Sequence, residues 1–334
     1  MIKVYLKGPI LTQSGYGHHC RTVFRALKTR EDIFDIYVQP IPWGKTSWLW
    51  KDDDERRNID FLLAKTIAHI DSGGKFDVSL QVTIPNEWEK LAPINIGITA
   101  GIESDKVSAK WLESCNMMSK VLTISEHSVK SFTDTIYDAI NNQTGEKFKY
   151  CLQSPIEYIS YPALKHEPVN LDLDLTTDFN FVTVAQMGPR KNFEMTVKAF
   201  VESFKDDESV GLIIKTNIGK NSLIDRENCK NSLKVLSRSL GDRKCKIYLL
   251  HGALTEAEMG GLYTNKKVKA LVSTTHGEGF GLPLFEAAYY GLPVLATDWS
   301  GHLDFLCKKV KQKNNKTKIK PMFEKISYKF AEIP

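Results

Sequence analysis

Apolar runs recur along the second half of the chain at "FNFVTVAQ" (179–186), "VGLIIKT" (210–216), "CKIYLLHG" (245–252), "VKALVSTT" (268–275) and "LPVLATD" (292–298). Each is short and rich in β-branched residues, as a strand buried on both faces should be. Between them lie segments with helical spacing, such as "NFEMTVKAFVESF" and "LTEAEMGGLYTN". Buried strands alternating with amphipathic helices predict βαβ units and a parallel sheet, and right-handed crossovers place the helices on both of its faces.

The first half repeats the plan less cleanly. Strands are predicted at "KVYLK", "FDVSLQV", "INIGITA" and "KVLTIS". The stretch "SEHSVKSFTDTIYDAI" predicts a helix that starts at Ser125, a good N-cap. Residues 165–178, "KHEPVNLDLDLTTD", are polar and contain a proline, the composition of a linker. The expected organisation is a first Rossmann-like domain over 1–165, a linker over 166–178, a second domain over 179–307 and a lysine-rich tail over 308–334. In open parallel sheets ligands gather beyond the carboxyl ends of the strands, so two such domains imply a cleft, with motifs placed just after strands.

Composition narrows the class. At 334 residues the chain is long for one core and comfortable for two, and 25% charged residues is ordinary for a globular protein. No apolar run reaches the length of a membrane span, and "MIKVYLKGPI" reads as a first strand rather than a signal peptide, so a cytoplasmic location is expected. Six scattered cysteines form no Cys-x-x-Cys pair, which points to reduced thiols. The run "KKVKQKNNKTKIK" (308–320) holds seven lysines, more than the whole net charge of +5. It reads as a solvated surface loop, or as a peripheral contact with a membrane surface. Nothing aromatic is interleaved with it, so nucleic acid is not an expected partner.

The densest chemistry lies in "HGEGFGLPLFEAAYYGLPVLATD" (276–298), where a strand ends, glycines follow and a helix begins. A helix amino end offers unpaired N–H groups and the positive end of the macrodipole. Gly279 and Gly281 would let a phosphate approach those donors, and Pro283 suits the first helical turn. Glu286, about one turn in, could accept hydrogen bonds from a sugar diol, and Glu278 could meet a second hydroxylated group. The expected ligand is a diphosphate with a sugar at each end. Duller roles stay open: a glutamate near a helix start also suits the dipole, and Arg190 and Lys191 before a helix could be solvated.

The stretch "EGFGLPLFEAAYYGLPVLATD" resembles the signature of the retaining glycosyltransferases of family 4, which have the GT-B fold: two doubly wound α/β domains facing across a cleft. The pair of glutamates with seven residues between, beside "GFGLP" and "G-x-P-V", carries the resemblance. "HGALTEAEMGGLYTNKKVKALVST" and "VAQMGPRKNFEMTVKAF" extend it upstream, over about 125 residues in all, and the first 165 residues fit only loosely.

The resemblance implies roles. Glu278 would contact the donor sugar and Glu286 the nucleotide ribose. Arg190 and Lys191 in "GPRKN" would pair with the diphosphate, with Gln186 near the place where the family often carries an arginine. Backbone groups of Phe280, Gly281 and Leu282 would meet the phosphates. In "GPILTQSGYGHHC", Gly15 and Gly17 would lie near the diphosphate or the acceptor, although they could equally form only a turn. Glu103 in "GITAGIESDK" would lie near the acceptor, where the family commonly has a histidine, or could be a surface acid. Trp43, Trp48 and Trp50 could stack on a sugar or pack a loop; His251, His276 and His302, at strand ends, are expected to hydrogen-bond rather than bind metal.

The implied activity is transfer of a hexose from a nucleoside diphosphate sugar to a hydroxyl acceptor with retention, without a metal or other cofactor. The first domain would face the acceptor and the second would bind the nucleotide sugar. An epimerase or phosphorylase on the same fold, or a non-catalytic sugar-nucleotide-binding protein, are the rivals. The family's last helix usually returns to the first domain, and only 33 residues follow Gly301, which implies a truncated version of a longer protein.

Overall fold

The computed structural model describes residues 1–141, 143–311 and 316–331. The chain divides into two compact units, Met1–Tyr161 and Pro162–Pro334.

In the first unit the strands are β1 (Ile2–Gly8), β2 (Phe34–Pro40), β3 (Val78–Val82), β4 (Ile94–Ile98), β5 (Lys120–Thr123), β6 (Tyr137–Ile140), β7 (Lys147–Tyr150) and β8 (Ile156–Tyr158). The helices are α1 (Gly15–Lys28), α2 (Asp54–Asp71), α3 (Ala109–Asn116) and α4 (Glu126–Asp134). The main sheet runs β2-β1-β3-β4-β5-β8 with parallel pairing throughout, and β6 and β7 form a separate antiparallel hairpin. Strand order reverses between β1 and β3, the switch point of a doubly wound sheet. Its core is built by Val4, Leu6, Ile36, Val38, Val82 and Ile98 from the sheet, and by Phe24, Leu27, Ile59 and Leu62 from the helices.

The four first-half strands expected from the sequence are present. Of the other two strands of the main sheet, β2 escaped because Asp35 and Gln39 flank a short apolar centre, and β8 because it is only three residues long. The helix expected from Ser125 starts there, with the Ser125 hydroxyl accepting from Ser128 N, but it ends at Asp134. "YDAI" continues as β6, where β-branched and aromatic residues pair across the hairpin with "KFKY".

In the second unit the strands are β9 (Phe179–Val184), β10 (Val210–Thr216), β11 (Lys246–His251), β12 (Val268–Ser273), β13 (Val294–Thr297), β14 (Cys307–Lys311), β15 (Thr317–Pro321) and β16 (Glu324–Ile326). The helices are α5 (Phe193–Phe204), α6 (Leu223–Ser239), α7 (Glu256–Thr264), α8 (Leu282–Tyr289) and α9 (Leu303–Leu306). The sheet order is β11-β10-β9-β12-β13-β16, again parallel, with the switch point between β9 and β12. All five runs read from the sequence are strands of this sheet. Val182, Ile213, Leu271 and Val294 meet Leu262, Leu284 and Ala287 in one core, and Leu212 and Ile214 meet Val197, Phe200 and Val201 in a second.

Two segments differ from their sequence reading. Residues 166–178 carry no helix or strand but are packed onto the second unit: Val169 N donates to Ala257 O at 3.1 Å, and Leu171, Leu173 and Leu175 join its core. The alternating leucines of "NLDLDL" bury their apolar side while the aspartates stay polar. The stretch read as a lysine-rich tail is in part an antiparallel hairpin, β14 with β15, and β16 then adds to the main sheet beside β13. Residues 312–315 and 332–334 of that stretch lie outside the described residues. Among the described residues no helix is long and apolar enough to cross a membrane.

Candidate functional site

The loops that follow β9 and β12 flank the switch point of the second sheet, where the strands diverge and leave room for a ligand. They hold "GPRKN" and "THGEGFG". The first forms a 3-10 turn, Pro189–Lys191, and ends at Asn192, a non-glycine residue with φ +50°. That left-handed backbone lets Asn192 face the other loop: its Nδ2 donates to Thr274 O at 3.1 Å, and Thr274 Oγ1 donates to Asn192 O at 3.0 Å. His276 N donates to Arg190 O at 3.0 Å, so the two loops are laced together along their length.

This lacing brings Arg190, Lys191 and Glu278 into one cluster. Lys191 Nζ donates to Glu278 Oε1 at 2.5 Å, and Arg190 Nη1 lies 3.6 Å from Glu278 Oε2 while donating to Gly277 O at 3.1 Å. Glu278 is only 7% exposed. Burial by itself would push its carboxyl up, but Lys191 and Arg190 hold it below the ordinary glutamate range. A carboxylate is thus kept ionised beside two cations at the carboxyl end of a parallel sheet.

The rest of the loop is fixed by packing. Phe280 is buried against Phe285 and Phe305, with ring centroids 5.3 and 5.0 Å away, so its side chain anchors the turn. Gly281 is the N-cap of α8 with φ +92°, a conformation that an L side chain would strain. Leu282 opens the helix and Pro283 sits in its first turn, as the sequence suggested. On the other side the loop is held by the turn after β13. Glu278 N donates to Ser300 Oγ at 2.8 Å and Gly301 N donates to Glu278 O at 2.9 Å. A Cβ on Gly301 would lie 2.0 Å from Gly279 O, so only glycine permits this approach.

Glu286 lies inside α8 and accepts from the Tyr263 hydroxyl at 3.1 Å. Burial drives its carboxyl up to about 7; Tyr263 and Lys215 oppose that shift, and Glu256 adds to it. Lys215, at the end of β10, donates to Gly252 O at 2.5 Å, and burial pushes its ammonium down. The two acids of the motif are therefore electrostatically unlike: Glu278 is a paired carboxylate, whereas Glu286 is poised between charged and neutral forms near neutral pH.

In the first unit Gly15 and Gly17 are not in a loop but in the first turn of α1, capped by the Ser14 hydroxyl, which accepts from Gly17 N at 2.9 Å. A Cβ on Gly17 would lie 2.1 Å from Thr12 O, while one on Gly15 would meet nothing within 4 Å. Close packing thus explains Gly17 and leaves Gly15 facing open space. Glu103 is half-buried on the segment after β4, near enough to Tyr16 to help burial raise that phenol. Tyr16 hydrogen-bonds Thr99 Oγ1 at 2.9 Å and packs against a tilted Trp43 ring at 4.3 Å between ring centroids, whereas Trp50 is 84% exposed. His19 is buried beside Tyr161 and held neutral, its imidazole pushed down to about 3 by desolvation.

Of the three histidines at strand ends, His251 and His302 have hydrogen-bonded rings. Nε2 of His302 lies 2.7 Å from Thr297 O. Nε2 of His251 lies 2.7 Å from Asp225 Oδ1, and Cys229 completes a group of three metal-type ligands. That carboxylate also accepts from the backbone N–H groups of Ile218, Gly219 and Lys220, and burial pushes the Cys229 thiol up to about 11. The hydrogen bonds of Asp225 lock the segment after β10 in place. Sequence reasoning missed Asp225, Lys215, Tyr263 and Ser300 as parts of the site's frame. Only Ser300 left a trace, in the "SG" that follows a strand end, where a turn must form.

Residues 173–323 match the family model described as "Glycosyl transferases group 1". Over 119 residues the chain is 32% identical to the serotype-specific mannosyltransferase WbdA of Escherichia coli, a match that covers 36% of this chain and 13% of WbdA. The chain thus aligns with only a small part of the curated relatives it matches. Among solved structures it is similar to sucrose-phosphate synthase from Thermosynechococcus elongatus, with a TM-score of 0.59 and 14% identity over 92% of this chain and 83% of that one. It is also similar to Anabaena HepE in complex with UDP and glucose, with a TM-score of 0.54 and 15% identity over 93% and 84%. WaaG, a glycosyltransferase involved in lipopolysaccharide biosynthesis, gives a TM-score of 0.55 and 11% identity over 90% and 82%. The fold is GT-B.

Proposed function

We propose, from the premise that residues 173–323 form a group 1 glycosyl transferase domain, that this protein moves a hexose from a nucleoside diphosphate sugar to an acceptor hydroxyl with retention of configuration. The observation that carries the reading is the convergence of Lys191 and Arg190 on buried Glu278, beside the amino end of α8 at the switch point of the sheet. Cations and helix N–H groups together suit a pyrophosphate. An ionised glutamate next to them suits sugar hydroxyls, and Glu286 suits the ribose diol.

In the reaction the bond from the anomeric carbon to the β-phosphate oxygen breaks, and charge grows on the departing diphosphate. Lys191, Arg190 and the backbone of Phe280, Gly281 and Leu282 would stabilise that charge, which is where most of the rate enhancement is expected. The sugar passes through an oxocarbenium-like state, and the acceptor oxygen bonds the anomeric carbon on the face that the phosphate leaves. The acceptor's proton passes to the leaving phosphate oxygen, so no separate protein base is needed and no metal is invoked. Gly15, Gly17 and Glu103 of the first unit are assigned to the acceptor or diphosphate side, and the lysine hairpin to a weak contact with an anionic membrane surface.

The WbdA relatives make mannose the first donor sugar to test, and the UDP bound to HepE makes uridine the first nucleoside. A thermal-shift panel of nucleoside diphosphate sugars should single out the donor, because a ligand present at about 100 times its Kd stabilises by about 2.7 kcal/mol. Release of nucleoside diphosphate would then be measured with and without a panel of glycan and lipid-linked acceptors. Release that requires acceptor supports transfer, while binding without turnover supports a non-catalytic module. Isomerised donor, or release that requires inorganic phosphate, would point to an epimerase or a phosphorylase.

A further inference from the structure

Two non-glycine residues among those described have positive φ, Asn192 at +50° and Ser300 at +88°. They grip the same loop from opposite sides. Asn192 holds Thr274 O from the β9 side, and Ser300 holds Glu278 N from the β13 side. Left-handed backbone at a non-glycine residue persists only where the surroundings over-determine it, and such residues gather at functional sites.

We propose that Ser300 is a positioning residue for Glu278, deepening the transferase reading on which this role rests. The geometry is specific. Both backbone polar groups of Glu278 are taken by consecutive residues, the N–H by Ser300 Oγ at 2.8 Å and the carbonyl by Gly301 N at 2.9 Å. To aim a side-chain oxygen and the next amide at one residue, the chain must turn left-handed at 300. Gly301 must lack a side chain so that Gly279 O can approach. Below the turn, buried His302 is tied through Nε2 to Thr297 O, and its Cβ packs against Gly281. Ser300 is itself only 3% exposed, so its hydroxyl is dedicated to this contact.

A glycine would adopt φ +88° without strain, so the hydroxyl is all that serine adds. Ser300→Gly removes the hydroxyl and relieves the backbone, while Ser300→Ala removes the hydroxyl and keeps the strain. The expected result for Ser300→Gly is a Tm at or above that of the parent, amide exchange over residues 277–281 faster by at least tenfold, and a kcat about tenfold lower. Its Kd for free nucleoside diphosphate should stay within twofold of the parent. Ser300→Ala should share the kinetic defect with a lower Tm. Glu278→Gln is measured alongside. If Glu278→Gln loses turnover but Ser300→Gly keeps parental kcat and parental exchange, the positioning role is overturned and the transferase reading stands. A kcat loss in Ser300→Gly matched by a fallen Tm would also overturn it, because the serine would then be merely structural. If Glu278→Gln keeps full turnover, the reading of Glu278 fails, and with it the catalytic meaning of the clamp.

Discussion

Nζ of Lys191 and Oε1 of Glu278 lie 2.5 Å apart, with 16% and 10% of the two side chains exposed. The pair joins the loops after β9 and β12 across the point where the sheet's strand order reverses. The lysine assigned to the diphosphate is therefore paired with the glutamate assigned to the sugar. Donor binding must share that lysine between two anions, which links grip on the phosphates to the placing of Glu278.

Removing one member of a buried pair leaves an uncompensated charge, at a cost of about 3–5 kcal/mol. Lys191→Met should fall near 3 kcal/mol, since Arg190 still lies 3.6 Å from the carboxylate. Adding Glu278→Gln should recover much of that loss, giving a strongly non-additive cycle in urea denaturation. In transfer assays Lys191→Met should lower kcat by about 10²–10³, the range for losing one donor to a developing oxyanion. The folded carboxyl of Glu278 is depressed, so its stabilising contribution is present above the unfolded value near 4.5 and fades as pH falls through the lowered folded value. Lys191→Met should accordingly unfold at higher pH in an acid titration.

Glu286 gives the opposite sign. Its folded carboxyl is raised to about 7 from an ordinary 4.5, chiefly by burial. The stability contributed by the neutral form is complete below about pH 4.5 and is lost as pH rises towards 7, by up to about 3 kcal/mol. Glu286→Gln should flatten that slope. A ribose diol donates to a carboxylate, so affinity for nucleoside diphosphate should rise several-fold between pH 6 and pH 8 in isothermal titration calorimetry. Glu286→Gln should erase the rise, and a 2′-deoxynucleotide should weaken it. Tyr263→Phe removes a donor that favours the charged form and should move the midpoint upward.

The second sheet was legible because buried parallel strands are continuous apolar runs, and every one read this way is a strand. The motif after β12 was legible because glycines, a proline and two acids carry a strand-to-helix turn in their order alone. What escaped depends on distant partners. β2 is apolar only at its centre, and its pairing with β1 overrides Asp35 and Gln39. Residues 166–178 look like a linker by composition, yet alternating leucines fasten them to the second unit. Tyr263, Lys215 and Ser300 reach the site from α7, β10 and the turn after β13, and no local pattern announces a neighbour that lies 20 or more residues away.

Gly15 and Gly17 separate packing from contact with ligand. Gly17→Ala places a Cβ 2.1 Å from a backbone carbonyl and should lower stability clearly, by about 1–3 kcal/mol for overpacking. Gly15→Ala meets nothing within 4 Å and sits at the start of a helix, so it should leave Tm unchanged or raise it slightly. A Gly15→Ala protein of full stability whose KM for donor or acceptor is several-fold higher would place a ligand over the amino end of α1. Unchanged kinetics would remove Gly15 from the site.

The β14–β15 hairpin pairs Lys308 directly with Lys320, and Val310 with Lys318. Cross-strand partners share a face, so Lys308, Lys318 and Lys320 crowd together, and like charges placed opposite each other oppose pairing. No acid lies between Cys307 and Pro321 to relieve them. An anionic lipid surface would supply the missing counter-charge, at roughly 1 kcal/mol per lysine near the surface. Co-sedimentation with vesicles containing 30% phosphatidylserine should retain the protein at low salt and release it at high salt, because the attraction is screened within about 10 Å at 0.1 M. Replacing the three lysines by serine should abolish retention while leaving transfer to a soluble acceptor intact. Equal retention on neutral phosphatidylcholine vesicles, or no retention by the parent protein, would leave the hairpin as solvated surface.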